Sequence, residues 1–182
     1  EPAVKPAAEH TETGVVGVLA TPATFQGALF ASVVERFAGG VELLKDACPG
    51  LVQRIEAGDL NGPATRRILE AALRPMLARN IDTVVLGCTH YPFVIETIQS
   101  IVGGQVRVID PAPAVARQAG RLLDRGNLRR RAPKRGEMQF FTSADVGSME
   151  SLLPRLLGEA GPVKTVQWEN EKSLRQPLPS GS

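Results

Sequence analysis

Between Gly14 and Leu123 the chain alternates strand-like and helix-like segments four times, and this limits its fold more than any other feature. Gly14 to Ala20 is an apolar, valine-rich run of the kind buried in a parallel sheet. Thr21-Pro22 follows as a helix start with proline at the first helical position. Leu29, Val33, Val34 and Phe37 continue at helical spacing until Gly39-Gly40, so one helix is expected from Pro22 to about Phe37. Val41 to Leu44 reads as a second strand, and Pro49 opens a short helix through Leu51, Val52 and Ile55. After Asn61-Gly62-Pro63 a long helix runs to about Arg79, with Ile68, Leu69, Ala72, Met76 and Leu77 as its apolar stripe and Pro75 inside it. Thr83 to Leu86 is the third strand and Val106 to Ile109 the fourth. Pro92 starts the helix between them, and another follows from about Ala112 to Leu123. The pattern predicts an α/β fold, a parallel sheet joined by right-handed crossovers.

Beyond this region, Gly126 to Gly136 is a polar, basic linker. Met138 to Thr142, Val146 to Leu157 and Val163 to Trp168 read as strand, helix and strand. Glu169 to Ser182 carries Pro, Ser and Gly without periodicity and reads as a disordered tail. The composition, 43% hydrophobic and 22% charged, is that of a globular chain. No apolar run approaches the roughly 18–20 residues of a membrane span. Aromatics at 4% leave no base-stacking platform for nucleic acid. Net charge is only +2, and its basic excess gathers at Arg129, Arg130, Arg131, Lys134 and Arg135, a solvated spacer rather than a nucleic-acid site. Two cysteines make no disulfide scaffold and no signal sequence is evident, so a cytoplasmic location is expected. No metal site is expected either. The only histidines are His10 and His90, and CxxC, HExxH, P-loop and GxGxxG patterns are all absent.

The turn Gly87-Cys88-Thr89-His90 follows a predicted parallel strand, at the end of the sheet where open α/β folds bind their ligands. A helix start just after Cys88 favours its thiolate. Thr89 can donate to or accept from a polar ligand, and His90 can exchange a proton with a thiol. A buried structural cysteine beside a capping threonine explains the same residues equally well. Thr21 and Thr24 occupy the equivalent turn after the first strand, where hydroxyls and free N–H groups suit a carboxylate, although N-capping by Thr21 is the simpler reading. Glu56 ends a short helix, poorly placed against its dipole, which suggests either a functional carboxylate or a solvated one. Cys48 before Pro49 reads as a small buried residue.

At Leu86 to Pro92 the sequence LGCTHYP resembles the glutamate racemases of the aspartate/glutamate racemase superfamily. Gly17-Val18-Leu19-Ala20-Thr21 with Thr24 is similar to the family's segment after its central strand. Cys48-Pro49, Leu51-Val52 and Ile55-Glu56 with Gly58 resemble its CP..LV..(V/I)E.G stretch, and Asp110-Pro111-Ala112 with Ala114-Val115-Ala116 fits as well. Glu1 to Val4 resembles the end of an upstream strand. The likeness is close from Glu1 to Arg125 and looser from Phe140 to Trp168.

The resemblance implies a parallel-sheet, three-layer lobe of the aspartate/glutamate racemase type, plus C-terminal elements of a second, similar lobe. Residues 1–13 would be an inter-lobe segment and 14–110 a complete lobe. Residues 111–125 would form a helix leading back to the other lobe, 126–136 the basic linker, 137–168 a strand-helix-strand of that lobe, and 169–182 the tail. It implies an isomerase that interconverts L- and D-glutamate for peptidoglycan, without pyridoxal phosphate, metal or other cofactor. Two cysteines would act on opposite faces of the substrate Cα. Cys88 would be one of them, handling the proton of the L-enantiomer. His90 would assist it and also contact substrate, Glu56 would be an auxiliary catalytic residue, and Thr89, Thr21 and Thr24 would bind substrate. The family's DSGxGG and CNTA segments, the latter carrying the other cysteine, have no counterpart here. The expectation is therefore a fragment, inactive alone, whose partners are glutamate, the missing N-terminal lobe and, as in many family members, a second copy in a homodimer. The alternatives are a racemase or isomerase for another amino acid such as aspartate, and a non-catalytic half-protein.

Overall fold

The structure is a computed structural model that describes residues 3–129, 136–170 and 173–175. It divides into two compact units, Glu1–Arg129 and Arg130–Ser182.

In the first unit the elements run α1 (Val4–His10), β1 (Val15–Leu19), α2 (Pro22–Gln26), α3 (Ala28–Phe37), β2 (Glu42–Asp46), α4 (Leu51–Glu56), α5 (Pro63–Ala78), β3 (Thr83–Leu86), α6 (Ile95–Val102), β4 (Arg107–Ile109) and α7 (Ala112–Arg125). The strands form one parallel sheet in the order β2-β1-β3-β4. β1 and β3 are central and buried on both faces, which is why both are almost wholly apolar, with Thr83 of β3 the one polar residue. Alternation along the strands sorts their side chains between two layers. Val16, Val18, Ala20 and Val85 pack with Ala3, Ala7, Phe25 and Phe30 on one side. On the other side, the α carbon of Gly17 faces Met76, Ile81 and Val84, where a Cβ would come 2.9 Å from the Met76 sulfur. Each fully buried Leu or Val side chain contributes roughly 1.5–3 kcal/mol to this core.

Register brings three strand ends level. Leu19 pairs with Asp46 on one side and Leu86 on the other. Beyond those pairs Ala20 N–H donates to the Asp46 carbonyl at 3.2 Å and Gly87 N–H to the Leu19 carbonyl at 2.7 Å. The chain leaves β1 for β2 on one side, then crosses back to β3 on the other. The crevice between β1 and β3 is thus the topological switch point of the sheet.

Several expectations are corrected. The helix read from Pro22 to Phe37 is two helices, because Gly27 adopts an extended conformation and stops α2. Phe25 and Phe30 pack edge to face across that break, 5.5 Å between ring centres. Val4, read as the end of a strand, begins a helix whose Val4 and Ala7 lie on one buried face. The segment after His90 starts as a 3-10 turn, Tyr91–Val94, before α6.

The second unit holds β5 (Phe140–Thr142), α8 (Val146–Leu157), β6 (Val163–Thr165), β7 (Gln167–Asn170) and β8 (Ser173–Arg175). β5 and β6 are parallel neighbours, and α8 packs on β6 with Leu153 and Val163 buried. Asp145 caps α8 by accepting from Ser148 N–H at 2.7 Å. The strand expected from Val163 to Trp168 is broken at Val166. Part of the segment read as a disordered tail is ordered: β7 extends to Asn170 and β8 pairs with it antiparallel, placing Trp168 opposite Leu174. Apolar residues opposed in this way favour strand pairing, which the composition did not suggest. The rest of the tail, residues 171–172 and 176–182, lies outside the described residues, as does most of the basic linker, residues 130–135.

Candidate active site

The turns after β1 and β3 lie side by side at the switch point, held close by a glycine. A Cβ at residue 87 would stand 2.8 Å from the Ala20 Cβ and 3.3 Å from the Leu19 carbonyl oxygen, so only glycine lets the two turns approach. Thr24 Oγ1 donates to the Gly87 carbonyl at 3.4 Å. Thr21 Oγ1 and Thr24 Oγ1 are 3.2 Å apart. The Thr21 side chain makes no capping bond to α2, so the simple N-cap reading is not what the structure shows. The two hydroxyls instead form a paired polar edge beside the turn that carries Cys88.

Cys88 is partly exposed, and its Sγ lies 3.8 Å from His90 Nδ1. The other ring nitrogen, Nε2, lies 3.2 Å from Glu56 Oε1. A carboxylate accepting from Nε2–H leaves Nδ1 as a lone pair facing the sulfur. In that tautomer His90 can take the thiol proton or return it. Glu56 reaches His90 from the last residue of α4, so the line Cys88–His90–Glu56 joins the turn after β3 to the helix after β2. Thr89 is exposed in the same turn.

Cys48 differs in every respect. It is 2% exposed and holds a left-handed backbone conformation with φ of 44°. Its N–H donates to Asp46 Oδ1 at 2.7 Å. Burial first, then the neighbouring Asp46, pushes the Cys48 thiol well above its usual range, so it stays protonated. Tyr91, the one tyrosine of the chain, is completely buried next to it and donates from its hydroxyl to the Ala47 carbonyl at 3.1 Å. Burial, followed by Cys48, Cys88 and Asp46, raises the Tyr91 phenol too.

The site thus gathers Thr21, Thr24, Glu56, Cys88, Thr89 and His90 around the carboxyl ends of three strands. Sequence reasoning named Gly87 and Tyr91 within the motif but gave neither a role. The signal for Gly87 was its place directly after a buried strand. Tyr91 offered a weaker one: a buried tyrosine hydroxyl must find a partner, but the sequence does not say which.

Residues 1–119 match the Asp/Glu/Hydantoin racemase family. The glutamate racemase of Pseudomonas entomophila is 51% identical over 156 residues, which are 86% of this chain and 58% of that protein. The crystal structure of a glutamate racemase isoform from Bacillus anthracis superposes with a TM-score of 0.79 at 27% identity, over 91% of this chain and 62% of that one. The Escherichia coli glutamate racemase, solved in complex with L-glutamate and the activator UDP-MurNAc-ala, gives a TM-score of 0.73 at 31% identity over 91% of this chain and 62% of its own. The chain spans about three fifths of the length of the curated relatives it matches. With the parallel sheet, the Cys-Thr-His turn at its switch point and a family match across most of the first unit, the chain belongs to the Asp/Glu/Hydantoin racemase family.

Proposed function

We propose that this chain is the Cys88-bearing part of a glutamate racemase, an isomerase that interconverts L- and D-glutamate without a cofactor and supplies D-glutamate to peptidoglycan in the cytoplasm. One observation carries the reading: a partly exposed thiol in line with His90 and Glu56, beside the paired hydroxyls of Thr21 and Thr24. Named relatives support the substrate, since the matched proteins are glutamate racemases and one was solved with L-glutamate. Among the described residues no helix is long and apolar enough to cross a membrane.

In this reading Thr21 and Thr24 hold a substrate carboxylate and Thr89 contacts the substrate. The Cys88 thiolate takes the Cα proton of L-glutamate and becomes a thiol, leaving the electron pair on Cα. A second acid on the opposite face then protonates Cα to give D-glutamate, and the reverse passage returns the Cys88 proton. His90, oriented by Glu56, exchanges a proton with Cys88. The weakly acidic Cα proton demands a dry, preorganised polar pocket and one base per face. The resemblance assigns the second base to the family's CNTA segment, which has no counterpart in this sequence. The test joins the N-terminal part of the Pseudomonas entomophila enzyme to this chain and follows D-glutamate by circular dichroism. Turnover that Cys88→Ala abolishes is expected, and turnover indifferent to that substitution overturns the proposal. Aspartate in the same assay distinguishes the alternative substrate.

A second reading, a non-catalytic half-protein, is favoured for the 182 residues alone by the burial of Cys48, the other thiol of the chain.

A further inference from the structure

The relay at the site is assembled from two separate loops, and one buried side chain spans them. Cys88 and His90 stand on the turn after β3, whereas Glu56 stands on α4, which hangs from the turn Ala47-Cys48-Pro49-Gly50 after β2. That second turn is not a relaxed one. Cys48 is a non-glycine residue at a φ of 44°, a conformation that L side chains adopt at a cost. Asp46 holds it from below through its bond to Cys48 N–H, and Cys48 O accepts from Leu51 N–H at 3.0 Å as α4 begins.

We infer that Tyr91 is a positioning residue for this relay: its hydroxyl, bonded to the Ala47 carbonyl, locks the β2 turn to the β3 turn and so sets the distance between Glu56 and His90. Tyr91 directly follows His90, and its own N–H donates to the Cys88 carbonyl at 3.2 Å, so one residue is tied to the thiol-bearing turn by its backbone and to the α4 turn by its side chain. Complete burial of the ring allows it little freedom, which makes the tie a rigid strut. Glu56 and His90 cannot hold this geometry by themselves. Their side chains are 56% and 32% exposed, and a solvated pair of this kind is weak.

The inference rests on the relay proposed above, and a double-mutant cycle separates the two. The readout is the pH profile of iodoacetamide alkylation at Cys88 in the full chain, followed by mass mapping. In the unsubstituted chain Glu56→Gln should change the rate by about threefold or more, the scale of coupling between residues in contact. In a Tyr91→Phe background, which keeps the ring and removes only the hydroxyl, the same substitution should have almost no effect. If Glu56→Gln acts equally in both backgrounds, Tyr91 does not position the relay and this inference alone is overturned. If Glu56→Gln has no effect in the unsubstituted chain, the relay itself fails and takes the inference with it. Should Tyr91→Phe not give a folded chain, Asp46→Ala loosens the same turn without touching the ring. It should erase the Glu56 effect in the same way, and an undiminished effect overturns the inference.

Discussion

Glu56 and His90, 34 residues apart in sequence, meet at 3.2 Å, and the opposite side of the imidazole faces Cys88 at 3.8 Å. Being largely solvated, the carboxylate–imidazole contact is worth only about 0–1 kcal/mol to folding, so its consequence lies in orientation. His90→Asn should therefore leave the urea midpoint almost unchanged while slowing alkylation of Cys88 several-fold. An alkylation rate equal to that of the parent chain would show that the imidazole does not act on the thiol.

The two thiols should react very differently. Cys48 is buried, and its environment holds it protonated, whereas Cys88 is open to reagent. Iodoacetamide at neutral pH should modify Cys88 in the folded chain and reach Cys48 only after denaturation. Earlier labelling of Cys48 would count against the placement of both.

Gly87→Ala tests the approach of the two turns. The new methyl would meet both the Ala20 Cβ and the Leu19 carbonyl oxygen, and the latter is backbone that cannot swing aside. A destabilisation of about 1–3 kcal/mol is expected, in the range of overpacked sites, measured by urea unfolding. An unchanged midpoint would mean that the strand ends separate freely.

At the other end of the sheet Asp82 gathers the loop between α1 and β1. Its carboxylate accepts from Thr11 Oγ1 at 2.8 Å, Glu12 N–H at 2.6 Å and Thr13 N–H at 2.9 Å. Partial burial acts to raise its pKa, but these hydrogen bonds, Thr13 foremost, with one from Thr83, outweigh it and hold the carboxyl below its ordinary value. A group depressed in the folded state stabilises above its unfolded pKa, near 4, and loses that contribution as pH falls through the folded value. Asp82→Asn should therefore lower stability at neutral pH and narrow the difference between neutral and acid conditions. Parallel loss of stability in both proteins between pH 7 and about pH 3 would exclude this role.

What the sequence made legible follows from local physics. Thr83–Leu86 and Val146–Leu157 stand in the structure with the expected ends, because a short valine run and a capped apolar stripe each specify their element alone. The break at Gly27 was hidden by helical spacing that continues on both sides of it. The β7–β8 pair was hidden because Trp168 and Leu174 gain their meaning only when opposed. Within the site, Cys88 and His90 are two residues apart and could be read together. Glu56 was linked to them only through the family resemblance, and the Tyr91–Ala47 tie depends on tertiary register alone.

Activity is the strictest test. Racemisation needs an acid or base on each face of Cα, and the chain has two thiols. In the proposed mechanism Cys88 serves one face, but Cys48 is buried and held protonated, so it cannot serve the other. The carbanion also needs a pocket that excludes water and presents preorganised polar groups. Solubility should suffer as well. Helix α7 buries none of its residues and exposes Val115, Leu122 and Leu123, while Phe141 and Trp168 are exposed in the second unit. Apolar faces of this kind promote association. The 182 residues alone are therefore expected to be poorly soluble and to show no glutamate racemisation by circular dichroism. The same residues joined to the N-terminal part of a related enzyme should be soluble and active. Robust turnover of D-glutamate by the purified 182-residue chain would mean that a second proton donor exists among its own residues, and would overturn the assignment of that role to a segment outside it.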